Sequence, residues 1–114
     1  MEARAIHRYI RQSPRKVRKT LDAIRGENVG NALNMLHFSP EKAAEVIEKT
    51  LHSAVANLMV LADNKVVEPE KLSIKEAFVD GGPAMKRFRA ASMGRASRLR
   101  RPSSHLTIVV SDEQ

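Results

Sequence analysis

Residues 83–102 read Pro83-Ala84-Met85-Lys86-Arg87-Phe88-Arg89-Ala90-Ala91-Ser92-Met93-Gly94-Arg95-Ala96-Ser97-Arg98-Leu99-Arg100-Arg101-Pro102. Seven of these twenty side chains are cationic, none is acidic, and six of the seven cations are Arg. Arg carries a planar fork of donors that matches phosphate and stacks on bases, whereas Lys acts more as a point charge. On either side the sequence turns to strand. Over 72–80, Leu72, Ile74 and Phe78 are expected on one face and Lys75, Ala77 and Val79 on the other. Over 104–111, Leu106, Ile108 and Val110 alternate with His105, Thr107 and Val109. Asp80-Gly81-Gly82-Pro83 is a turn or bulge signal at the junction. If the neighbouring strands continue into this segment, they form a long antiparallel arm. About 12 residues a side at ~3.3 Å each reach roughly 40 Å, longer than a compact domain of this size covers. An arm of that kind exposes two sheet edges and has no apolar face for a core. Its sequence therefore calls for a large, negative, enclosing partner.

Outward from the arm, residues 2–11 read as a strand, with Ala3, Ala5, His7 and Tyr9 alternating with Arg4, Ile6, Arg8 and Ile10, and neither face cleanly apolar. Ser13-Pro14 pairs an N-cap with a first-turn proline and starts a helix, on which Val17, Leu21 and Ile24 form one apolar face and Gly26 is the stop. A shorter helix fits 29–37, with Asn28 as its cap and Val29, Ala32, Leu33 and Leu36 as its apolar residues. Ser39-Pro40 repeats the cap signal for a long helix over about 40–62, burying Ala43, Ile47, Leu51, Ala54, Val55 and Leu58. Met35 and Met59 fit helix packing, and 63–70 reads as a loop. The order is β-α-α-α-β-β, an α+β fold with three helices over one face of a small three-stranded sheet and a long protruding hairpin.

The chain has 114 residues, the length of one domain spanning 1–114, with 20 Lys+Arg against 13 Asp+Glu for a net charge of +7. That excess is zoned. Residues 1–25 carry +6, residues 26–82 carry −4, the arm carries +7 and the last twelve residues −2. The absence of Cys removes disulfides, thiol nucleophiles and cysteine zinc sites. The longest apolar runs fall far short of the ~18–20 residues of a membrane span. The start Met1-Glu2-Ala3-Arg4 has no apolar h-region, so no secretory signal is expected.

Catalysis finds little support. His7, His37, His52 and His105 are scattered, and no zincin, nucleophile-elbow, phosphate-loop or dinucleotide fingerprint occurs. Glu41, Glu45 and Glu48 have helical spacing, and they read as a solvated helix start beside the positive end of the dipole rather than a metal site. His105, next to the basic run, reads either as a phosphate contact or as a strand-face hydrogen-bonding residue. Arg4, Arg8 and Arg11 followed by Arg15, Lys16, Arg18 and Lys19 form a second basic surface, on the body. One globular and one extended basic surface suit folded RNA, which is recognised by shape, backbone and 2′-hydroxyl contacts. Aromatic residues make up 4% of the chain, which weighs against a base-stacking single-strand binder.

Taken together, several segments resemble the universal large-subunit ribosomal protein family numbered twenty-two, in its bacterial or organellar form. They are Ser13-Pro14-Arg15-Lys16-Val17-Arg18, Ile24-Arg25-Gly26, Ser53-Ala54-Val55-Ala56-Asn57, Phe78-Val79-Asp80, Gly82-Pro83-Ala84-Met85-Lys86-Arg87, Gly94-Arg95-Ala96 and Ser104-His105-Leu106-Thr107-Ile108-Val109-Val110-Ser111-Asp112. The resemblance implies a non-enzymatic structural constituent of the large subunit, in the cytoplasmic ribosome or an organellar one. Its body would bind ribosomal RNA and its hairpin, carried onto this sequence at about 80–104, would line the peptide exit tunnel. The implied partners are large-subunit ribosomal RNA, neighbouring large-subunit proteins and the nascent peptide. No cofactor, metal or membrane is implied, and one copy per ribosome is expected rather than a homo-oligomer. The resemblance implies RNA contacts at Ser13, Arg15, Lys16, Arg18, Lys19, Arg95, Arg98 and Arg101, and the charge reading adds Arg4, Arg8, Arg11, Lys86, Arg87, Arg89, Arg100 and His105 as RNA-binding candidates. The implied tunnel-lining tip runs through Met85, Lys86, Arg87, Phe88, Arg89, Ala90, Ala91, Ser92, Met93, Gly94 and Arg95. Two departures stand out. Ala90-Ala91-Ser92 replaces the family's common Pro-Arg-Ala, and Pro102 replaces a usual basic residue and lacks a strand N–H. The competing reading is an architectural DNA binder with a basic β-arm; such proteins use arm-tip Pro and an apolar dimer surface, and neither is evident here.

Overall fold

The computed structural model describes residues 1–62, 68–90 and 96–112. The elements run β1 (Glu2–Ile10), α1 (Pro14–Asp22), α2 (Val29–His37), α3 (Lys42–Leu61), β2 (Ser73–Gly81), β3 (Met85–Ala90), β4 (Ala96–Arg101) and β5 (Ser104–Ser111), with a 3-10 turn at Pro69–Lys71. The fold is α+β. β5 lies between β1 and β2 in an antiparallel three-stranded sheet, and β3 pairs with β4 in a separate two-stranded one. The radius of gyration is 17.2 Å and the principal extents are 63 × 25 × 17 Å. A compact chain of this length would have a radius of about 13 Å, so the molecule is elongated.

Local signals explain the helices. The Ser13 side chain accepts from the Lys16 N–H, and Pro14 occupies the first turn of α1. Asn28 Oδ1 accepts from the Asn31 N–H at 2.7 Å and caps α2. α3 begins at Lys42, with Glu41 at its cap and no side-chain cap bond, two residues later than Ser39-Pro40 suggests. Ser39 Oγ instead accepts from the Glu41 N–H at 3.3 Å, turning the chain before the helix. α1 ends at Asp22, short of Gly26, yet turn hydrogen bonds from Ala23 to Thr20 and from Ile24 to Leu21 keep Ile24 fully buried. Gly26 then takes φ +79, a conformation that favours glycine.

All six expected core residues of α3 are buried, together with Val17, Leu21 and Ile24 of the first helical region and Leu106, Ile108 and Val110 of β5. Each such Leu, Ile or Val side chain contributes about 1.5–3 kcal/mol on burial. Asn57 Nδ2 donates to the Arg4 carbonyl at 2.9 Å and ties α3 to β1. Met59 packs against the core, but Met35 is 45% exposed. α2 buries the stripe Val29, Ala32 and Leu36, and position 35 projects about 100° away from it.

The strand faces differ from strict alternation at two bulges. In β2 the register with β5 shifts between Ile74 and Glu76, so Lys75 is an extra residue. Ile74, Ala77 and Val79 therefore share the buried face, while Phe78 points to the other side and is 39% exposed. In β1 the shift falls between His7 and Ile10, with Tyr9 at φ +59. That irregularity returns Ile10 to the buried side with Ala3 and Ala5. No helix among the described residues is long and apolar enough to cross a membrane.

Candidate nucleic-acid interface

The hairpin is an arm with a distinct root. β2 stops at Gly81 and β3 starts at Met85; β4 stops at Arg101 and β5 starts at Ser104. Pro102 falls in the second gap, where a residue without an N–H removes no ladder bond. The Gly82 N–H donates to the Ser103 carbonyl at 2.9 Å, and Ser103 Oγ donates to the Pro83 carbonyl at 2.5 Å. A Cβ on Gly82 would lie 2.6 Å from Ser103 Oγ and 3.2 Å from the His105 ring, so the two segments approach here as only glycine allows. Beyond the root, Met85 stands opposite Arg101, Lys86 opposite Arg100, Arg87 opposite Leu99, Phe88 opposite Arg98 and Arg89 opposite Ser97. Like charges at directly opposed positions disfavour a ladder that has no counter-charge. Of the expected tip, Met85 to Ala90 form β3, and Ala91, Ser92, Met93, Gly94 and Arg95 lie outside the described residues.

The body's basic surface reaches this root. Ser104 Oγ donates to the Gln12 carbonyl at 3.1 Å, and Pro14 Cγ lies 4.0 Å from where a Gly81 Cβ would stand. The cationic start of α1 is thereby set beside the base of the arm. Arg4, Arg8, Arg11, Arg15, Lys16 and Lys19 are all exposed. Two of the expected residues also have internal tasks. Ser13 is the cap of α1. Arg18 donates through Nε and Nη2 to the Val79 carbonyl at 3.2 and 2.6 Å, fastening α1 to β2. His105 is half-buried, and its Nδ1 accepts from the Tyr9 N–H at 3.1 Å, which leaves Nε2 carrying the ring proton when the imidazole is neutral.

Acidic groups gather elsewhere. Thr20 Oγ1 donates to Glu41 Oε2. Glu45 pairs with Lys49 at 3.5 Å, and Glu48 lies 3.6 Å from His37 and 3.8 Å from His52. No group of three or more His, Asp or Glu among the described residues could hold a metal ion. What sequence reading missed is the joining of the two basic surfaces: residues 12 and 104 are far apart along the chain, and no local pattern records their contact.

Residues 5–111 match the family described as ribosomal protein L22p/L17e. The chain is 48% identical over 114 residues to the large ribosomal subunit protein uL22 of Halothermothrix orenii, covering 100% of this chain and 98% of that protein. It is 46% identical over 113 residues to the protein of the same name from Desulfitobacterium hafniense, covering 99% and 96%. With that of Bifidobacterium longum the identity is 47% over 117 residues, covering 100% and 98%.

Proposed function

We infer that this chain, which belongs to the ribosomal protein L22p/L17e family, is a structural constituent of the large ribosomal subunit. It acts as a single domain with an arm, one copy per ribosome, and works by binding and shape rather than by catalysis. Its body and the root of its arm bind large-subunit ribosomal RNA. The arm extends along RNA to line the peptide exit tunnel, where its tip meets the nascent peptide, and neighbouring large-subunit proteins contact the remaining surface.

The observation that carries this reading is the continuity of charge from α1 into the arm. Arg15 and Lys16 sit at the helix start packed on the arm root, and β3 and β4 carry Lys86, Arg87, Arg89, Arg98, Arg100 and Arg101 without an acid. Folded RNA presents phosphates on several sides of a cleft and can neutralise both opposed rows of an arm at once; a straight duplex presents one surface. Binding to an in vitro transcript of the large-subunit ribosomal RNA tests the reading. With roughly six phosphates neutralised, log K falls against log salt with a slope near −5. Stoichiometric co-sedimentation with the large subunit at high salt supports it. Preference for duplex DNA over the transcript at fixed salt rejects it in favour of an architectural DNA binder.

A further inference from the structure

The helices cover one face of the three-stranded sheet, and the opposite face is open. Cross-strand register places its side chains in rungs: Arg4 beside Val109 and Glu76, then Ile6 beside Thr107 and Phe78, then His105 beside Asp80. Tyr9 closes the last rung from the β1 bulge, its ring meeting the His105 ring edge to face with centroids 5.0 Å apart. Ile6 is 43% exposed, Phe78 39% and Tyr9 65%, whereas Thr107, paired between Ile6 and Phe78, is buried. Composition alone weighs against base stacking, but placement reverses that weight. The two bulges bring two of the chain's four Phe and Tyr residues, with a histidine, onto one uncovered surface.

Charge on this face is polarised across the strands. Arg4 and Arg8 lie on β1, and Glu76 and Asp80 on β2. Among the described residues no salt bridge engages any of these four; an ion pair joins Lys75 to Glu2 at the far end of the sheet. Two strand spacings separate the rows, about 10 Å, and the ground between them is apolar and aromatic. A nucleotide has this polarity: an anionic phosphate at one end, a flat apolar base in the middle and, for guanine, adjacent N1–H and N2–H donors at the far edge. Carboxylates accept from such donor edges, and aromatic side chains on a sheet take unstacked bases.

Resting on the RNA-binding reading above, we propose that this open sheet face is a pocket for one unstacked guanine nucleotide of the large-subunit ribosomal RNA. The phosphate lies on Arg4 and Arg8, the base on Ile6 and Phe78 beside Tyr9, and the donor edge faces Glu76 or Asp80. Such a site gives the body base selectivity that its phosphate contacts do not provide.

The test uses the full chain bound to an in vitro transcript of the large-subunit ribosomal RNA, with ultraviolet crosslinking and peptide mapping. A crosslinked guanosine is expected on the peptide bearing Phe78 or the one bearing Tyr9. Phe78→Leu keeps apolar bulk on a half-exposed site, so the fold is retained while the ring is lost. It should weaken binding about tenfold and leave the salt slope unchanged, because no phosphate contact is removed. Phe78→Tyr should restore binding to about the parent value. Parent affinity and slope for Phe78→Leu, with crosslinks confined to the arm and α1, would overturn the nucleotide site while leaving the RNA-binding reading intact. Protection of this face only after another large-subunit protein is added would overturn it in favour of a protein contact. Failure of the parent chain to bind the transcript at all would remove the RNA-binding reading itself.

Discussion

The Tyr9 backbone N–H donates to Nδ1 of His105 across the β1–β5 boundary at 3.1 Å, and the two rings meet edge to face. This contact holds Tyr9 at φ +59, a left-handed conformation that costs a bulky residue about 1–3 kcal/mol and persists only when its surroundings over-determine it. The bulge so fixed returns Ile10 to the core and leads the chain into the Gln12 carbonyl that Ser104 holds. One side chain thus couples the last rung of the sheet to the root of the arm.

Replacing His105 by Phe keeps the ring contact and removes the acceptor. The Tyr9 N–H then has only water to turn to, and stability should fall by about 1 kcal/mol in denaturant titration. The Tyr9 amide should exchange faster while the amides of α3 keep their protection.

Gly82→Ala tests the root. The added Cβ meets Ser103 Oγ at 2.6 Å, and Ser103 is buried with its hydroxyl committed to the Pro83 carbonyl. A shift of that hydroxyl breaks its bond and strains the His105 side, at a cost of about 1–3 kcal/mol. In the double variant Gly82→Ala/Ser103→Ala the nearest atom is gone, so part of that loss should return in thermal unfolding. Equal destabilisation of the single and double variants would count against this geometry.

Among the basic residues of the body, Arg18 should separate from Arg15 and Lys16. Arg18→Met retains the stem but takes both donors from the Val79 carbonyl, a loss of about 1.5–3 kcal/mol of stability for a charge-assisted contact. Arg15→Ala and Lys16→Ala should leave unfolding within about 0.5 kcal/mol of the parent. Each should make the salt slope of binding to the ribosomal RNA transcript shallower by about one.

Asp112 supplies an acid-sensitive contact. A hydrogen bond from the Met1 ammonium at 2.8 Å, opposed by desolvation and helped by the ammonium charge, lowers the pKa of this carboxyl from its ordinary value. A folded value below the unfolded one means that the stabilisation is complete above the unfolded value. It is lost as pH falls through the folded value. Both groups are well exposed, so the effect is small. Stability curves of the parent and Asp112→Asn should differ at neutral pH and converge in strong acid; a constant offset at every pH would contradict the assignment.

In the core, Leu51→Ala removes a fully buried side chain from the centre of α3 and should cost about 2–5 kcal/mol in denaturant unfolding. Met35→Ala, on the exposed side of α2, should change stability by less than about 0.5 kcal/mol.

Much of this protein is determined locally and is legible in its residues. Ser13-Pro14 and Asn28 cap helices because a side-chain oxygen and a missing N–H act within one turn. The α3 stripe and the alternation Leu106, Ile108, Val110 follow from the periods of helix and strand, which one segment displays unaided. The arm is legible because cations without acids between two strands have no core to join.

Tertiary structure alone decided the rest. Whether Phe78 faces the helices or the open side depends on an extra residue at Lys75, and a bulge is a property of two strands in register, not of one. Arg18 is indistinguishable in sequence from its cationic neighbours until β2 brings the Val79 carbonyl within reach. The two basic surfaces become one only because Ser104 closes on Gln12, a contact between distant parts of the chain. Patterns of charge and hydrophobicity specify the elements; which side chains meet is settled when those elements pack.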